Sequence, residues 1–170
     1  KENVWMFSID ETEGKSVKTT SSIRKVPVHP TLISLGFIDY VKIIKSKGFD
    51  RVFPELTKQR DGYSQKISQH YNEKFLPSIG IWEKQVKVLY STRHTFINRC
   101  YNKGVDRDIL KSIVGHEPDF TMDVYGGSPF TPKQLFQGIS KVSYSNIKWN
   151  RPNVDWKKLI TLSLFMNLIL

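Results

Sequence analysis

Residues 91 to 116 read STRHTFINRCYNKGVDRDILKSIVGH, and this stretch decides the fold class. Ser91 and Thr92 are side chains that cap helices. Phe96, Ile97 and Cys100 follow at helical spacing, and Gly104 supplies a stop. Asp106 then caps a second helix. Its buried face is Ile109, Leu110, Ile113 and Val114, and Gly115 ends it. Two capped amphipathic segments joined by a Gly-Val turn predict a helical body.

Downstream, Phe120 to Tyr125 fits a short helix or turn, and Thr131-Pro132 is an N-cap and N1 pair for a helix through Ile139. A Ser/Asn/Trp-rich link then runs into a leucine-rich tail. Upstream, Tyr63, Ile67, Tyr71 and Phe75 share one helix face, and that helix is expected to end before Pro77. Arg51 to Pro54 reads as a short extended piece. Pro30 and Thr31 open a helix carrying Leu32, Leu35, Ile38, Val41 and Ile44, stopped by Gly48. The N-terminal end changes character. Val4 to Ile9 is β-branched and aromatic, so it predicts a strand. Ser16 to Lys18 and Lys25 to Val28 flank Thr19 to Arg24 as a hairpin, and Pro27 places its second strand at an edge or a strand end. The fold class is therefore α+β, a small N-terminal antiparallel β-sheet followed by a mainly helical body. Residues 1–148 form the expected folded domain and 149–170 an apolar tail, suited to a groove in its own body or in another subunit.

The 170 residues are 39% hydrophobic and 12% aromatic, too apolar for a disordered chain. Lys and Arg number 26 against 16 Asp and Glu, a net charge of +10 with pI near 9.7. Such an excess, with runs at Lys42 to Lys47 and Lys58 to Arg60, points to a polyanionic partner. A single cysteine excludes a disulfide framework and a cysteine-based zinc site. No apolar run reaches the ~18 residues that span a bilayer, so no membrane partner is expected. The four histidines, His29, His70, His94 and His116, lack metal-ligand spacing, and no glycine-rich nucleotide loop is present. No cofactor is expected.

The chemistry-bearing residues fall in a fixed order. Tyr90-Ser91-Thr92-Arg93-His94-Thr95-Phe96 comes first, then Gly104-Val105-Asp106, Val114-Gly115-His116 and Met122-Asp123-Val124-Tyr125. Eight residues separate His116 from Tyr125. Earlier, Lys18-Thr19 precedes Arg24-Lys25-Val26-Pro27-Val28-His29-Pro30. Over residues 1 to about 140 this resembles the C-terminal catalytic domain of tyrosine recombinases, the phage integrase family. The resemblance implies cleavage and rejoining of double-stranded DNA through a 3′-phosphotyrosyl bond, by a tetramer on DNA, in the cytoplasm of a bacterium or as a phage-encoded product. Tyr125 falls at the nucleophile, Arg93 at the second catalytic arginine, His116 at the L-G-H histidine and Lys18 at the hairpin lysine. Tyr90 stands where the family has a histidine. The family's first catalytic arginine lies before the sheet, so the chain is expected to be a piece of a longer protein, inactive or very weak alone.

Elementary chemistry agrees with those assignments. A phenol can attack phosphorus, an arginine fork matches two phosphate oxygens, and a lysine can protonate a leaving oxygen. Arg93 at a helix start would add backbone N–H groups and the dipole. His116 can hydrogen-bond phosphate or accept a proton. Tyr90 can donate to phosphate but shuttles protons poorly at neutral pH. His94 is assigned a supporting role and His29 a structural one. The alternative reading is a non-catalytic DNA-binding module, either a degenerate recombinase or a regulator. A basic protein binding RNA or an acidic partner is the third.

Overall fold

The computed structural model describes residues 3–12, 17, 22–84, 86–116, 129–144 and 147–151. They form two compact units, one from residues 1–33 and 96–149, the other from residues 34–95 and 150–170. The class is α+β, as the sequence predicts, with a two-stranded antiparallel sheet and helices around it in the chain.

In the first unit, β1 (Met6–Ile9) pairs with β2 (Arg24–Pro27) in the register Met6↔Pro27 to Ile9↔Arg24. The expected hairpin is corrected here: the partner of residues 24–27 is the first strand, and Val17 lies outside any strand. Residues 16 and 18 are outside the described set. The reason is burial: this pairing sets Met6 and Val26 against the core. Pro27 ends its strand as expected, and Val28 N–H extends the ladder to the Trp5 carbonyl at 2.8 Å. After it, α1 (Pro30–Ser34) begins with proline at N1.

Three helices supply the core of this unit: α5 (Ser91–Asn102) through its C-terminal half, α6 (Arg107–Val114) and α7 (Pro132–Ser140). Cys100, Val105, Leu110, Ile113, Val114, Leu135, Ile139 and Val142 are buried together, with Phe96, Ile97 and Ile109 half-buried against them. Leu110 and Leu135 are each 2% exposed, and burying such a side chain is worth about 1.5–3 kcal/mol. Both expected N-caps are present. Asp106 accepts from Asp108 and Ile109 N–H, and Thr131 forms a reciprocal capping box with Gln134. Phe120 to Tyr125 falls outside the described residues.

In the second unit, α2 (Phe37–Ser46) buries Ile38 and Ile44. The single helix expected from Pro30 to Gly48 is instead broken at Leu35 and Gly36. Gly36 sits at φ +87°, and a Cβ there would lie 2.8 Å from the Arg151 guanidinium, which pairs with Asp39 at 2.7 Å. Arg51 to Pro54 is a series of bends and a turn, tied by the Tyr40 hydroxyl donating to the Val52 carbonyl at 2.7 Å. Next, α3 (Gln65–His70) continues through a π-helical turn (Tyr71–Phe75) into α4 (Leu76–Ser78). The helix therefore runs past Pro77, the missing N–H being absorbed where the wider turn meets it. Its expected apolar face is not core: Tyr63, Ile67 and Phe75 are exposed, and Leu76 is the buried residue.

Candidate active site

The entry to α5 is a turn held by side chains. Ser91 Oγ accepts from Val88 N–H at 3.1 Å and donates to the Val86 carbonyl at 2.7 Å. Thr92 Oγ1 donates to the Leu89 carbonyl at 2.6 Å. Asn72 Oδ1, from the π-helical turn, accepts from Leu89 N–H at 2.8 Å. The expected capping roles of Ser91 and Thr92 are thus corrected: their hydroxyls latch the turn that precedes the helix.

This latch changes what an anion meets at Arg93. The N–H groups of Ser91, Thr92 and Arg93 bond to the carbonyls of Val88, Leu89 and Tyr90 at 2.8–3.1 Å. They are the donors the sequence reading assigned to phosphate, and the turn already occupies them. Arg93 is half-buried in the first turn of α5, so at this helix start the guanidinium, rather than these three backbone N–H groups, is the group suited to an anion. Tyr90, 64% exposed, meets His94 edge-on with ring centroids 5.4 Å apart. One helical turn separates them, so the pair forms a polar-tipped aromatic edge beside Arg93 in the chain.

The far end of α5 is closed by a Schellman motif. Gly104, at φ +64°, bonds the Tyr101 carbonyl, and Val105 N–H bonds the Cys100 carbonyl, both at 3.0 Å. Cys100 and Val105 are themselves buried, which supplies the apolar contact the motif needs. Asp106 then starts α6 directly. Gly115 ends it at φ +70°, and both Gly115 and His116 N–H bond the Lys111 carbonyl, at 2.8 and 3.2 Å. His116 is exposed one residue beyond this stop. Its backbone N–H is fixed by the helix end.

One residue gains a role that the sequence reading left unassigned. Arg24, at the start of β2, donates from Nε to the Ile113 carbonyl at 3.0 Å and from a terminal nitrogen to the Ser22 carbonyl at 2.8 Å. The signal available was its place just before Val26-Pro27, which carried no hint of a helix partner 89 positions away. His29 is structural, as expected. Its Nδ1 accepts from Thr31 N–H at 3.1 Å, so Nε2 bears the proton and donates to the Val142 carbonyl at 2.8 Å.

Arg93 and Tyr90 belong to the second unit and His116 to the first. Lys18 and Tyr125 lie outside the described residues. No family model, curated protein or solved structure matches the chain. Among the described residues, no group of three His, Cys, Asp or Glu side chains could hold a metal ion. No helix among them is long and apolar enough to cross a membrane.

Proposed function

We propose that this chain takes part in site-specific DNA recombination, cleaving and rejoining double-stranded DNA through a tyrosine nucleophile. The observation that carries the reading is the ordered set Arg93, Gly104-Val105, Gly115-His116 and Tyr125. Its described members coincide with helix punctuation: Arg93 in a first helical turn, His116 just past a glycine stop. In this reading Tyr125 Oη attacks phosphorus, and the bond to the 5′ oxygen breaks. A 3′-phosphotyrosyl bond and a free 5′-hydroxyl result. Lys18 gives a proton to the leaving 5′ oxygen, and His116 takes the phenol's proton. Arg93 balances the charge on the non-bridging oxygens. Tyr90 donates to phosphate where the family has a histidine. Phosphodiester energy is kept in the adduct, so the reverse attack by a 5′-hydroxyl rejoins the strand without a nucleotide cofactor. The acting form is a homotetramer on DNA.

The test is a nicked suicide duplex, with adducts resolved on a denaturing gel, for the chain expressed together with any coding sequence upstream of it. Tyr125→Phe abolishes the adduct and leaves duplex binding unchanged, because only the attacking oxygen is lost. Arg93→Ala lowers the cleavage rate about 10²–10³-fold. Lys18→Ala is rescued by a 5′-bridging phosphorothioate, whose thiolate leaves without a proton. A Tyr125→Phe protein that still forms the adduct refutes the assignment. Salt-dependent duplex binding with no adduct from the unaltered protein supports a non-catalytic DNA-binding module instead.

A further inference from the structure

We infer that Arg24 is a positioning residue for His116, acting through the end of α6. The inference rests on the reading of His116 as a group that meets the DNA phosphate. Helix α6 ends with carbonyls that have no partner within the helix. The guanidinium of Arg24 takes the Ile113 carbonyl at 3.0 Å and brings positive charge to the negative end of the helix dipole. It also lies flush against Gly115: a Cβ on that glycine would stand 2.7 Å from one terminal nitrogen and 2.9 Å from the central carbon of the guanidinium. Gly115 is thus required twice, for its left-handed φ of +70° and for the space Arg24 fills. The next residue is His116, whose N–H shares the Lys111 carbonyl with that of Gly115.

The same guanidinium holds the Ser22 carbonyl. Ser22 lies in the connection between β1 and β2. Arg24 therefore ties Ser22 to the helix end that carries His116. Lysine cannot replace this arrangement. A point charge on a flexible stem keeps the dipole interaction but loses the planar fork that bonds two carbonyls while packing on a glycine.

The experiment compares Arg24→Lys, Arg24→Met and the unaltered chain. Amide hydrogen exchange read by NMR is the first arm. Both variants raise exchange at Gly115 and His116 about tenfold, the loss of one hydrogen bond, while Leu110 in the same helix is unchanged. Equal acceleration at Leu110, Gly115 and His116 would mean general destabilisation and overturn the inference, as would no change at either position. The second arm measures single-turnover cleavage of the suicide duplex and duplex affinity. Positioning predicts a cleavage rate at saturating duplex reduced about 10–100-fold at unchanged affinity, with Arg24→Lys failing to restore it. A loss of affinity without the local exchange change would make Arg24 a direct phosphate contact and overturn the inference. If the unaltered protein forms no adduct, the proposed function fails, and the exchange arm still decides whether Arg24 fixes the His116 backbone.

Discussion

Gly138 lies in the middle of α7, where the backbone is helical and an alanine would ordinarily help. Gly→Ala in a helix interior gains about 1 kcal/mol. Here the added Cβ would sit 2.6 Å from Ile109 Cγ2 and 3.7 Å from Val105 Cγ1. The first distance is well inside contact, and the offending methyl is a β-branch with little rotamer freedom. Overpacking of this kind costs about 1–3 kcal/mol. The clash therefore wins, and Gly138→Ala destabilises by about 1 kcal/mol net. Ile109 offers the control, because leucine lacks the Cγ2 methyl and valine keeps it. In an Ile109→Leu background the same alanine becomes neutral or stabilising, a coupling of about 1–2 kcal/mol. In an Ile109→Val background its cost persists. Urea unfolding followed by far-UV circular dichroism reads all the arms of the cycle. A stabilising Gly138→Ala in the unaltered chain, or an equal cost in the leucine background, would refute the close approach of α6 and α7 at this point.

Asp106→Ala removes the acceptor for two helix N–H groups and costs about 1 kcal/mol, and Asp106→Asn restores most of it in the same urea assay. Burial pushes the Cys100 thiol from 9.0 up to about 11. The folded state therefore keeps a proton that the unfolded chain releases near pH 9. Stability is fully present below that pH and declines as pH rises toward 11, and Cys100→Ala flattens this alkaline slope. The same burial predicts that a thiol reagent labels Cys100 only at the rate of unfolding, which a labelling time course by mass spectrometry checks. Duplex affinity falls steeply between about 50 and 200 mM salt with little sequence preference, as measured by fluorescence anisotropy.

Local chemistry was legible in the sequence. Asp106 and Thr131 announce their helices because a cap is completed within three residues, and Gly48, Gly104 and Gly115 mark stops for the same reason. What needed a distant partner was not legible. The pattern of Lys25 to Val28 is identical whichever strand it pairs with, so its match to Met6–Ile9 had to come from core burial. Gly36 breaks a helix whose apolar spacing continues across it, and nothing in that spacing reveals Arg151. The exposed face of Tyr63, Ile67 and Phe75 has the periodicity of a buried one. At the candidate site, the place of Arg93 in a first helical turn and of His116 after a glycine stop followed from sequence. The occupied N–H groups ahead of Arg93 and the guanidinium behind Gly115 did not, because neither Asn72, which holds that turn through Leu89 N–H, nor Arg24 carries a spacing signal for its role.

The first unit is built from two stretches of chain, residues 1–33 and 96–149. On the ribosome this has a temporal consequence. The sheet and the leading part of α1 are made first, yet the carbonyl that His29 bonds belongs to Val142, and the core side chains that cover Met6 and Val26 begin near Phe96. At about 5–20 residues per second, some 6 to 23 s pass between synthesis of the first stretch and completion of the second. The segment 34–95 emerges in that interval and has its own contacts to make. Nascent β1 and β2 must wait through it with their inner faces uncovered, so codon-level slowing within residues 34–95 should lengthen the chain's exposure to chaperones without altering the final fold.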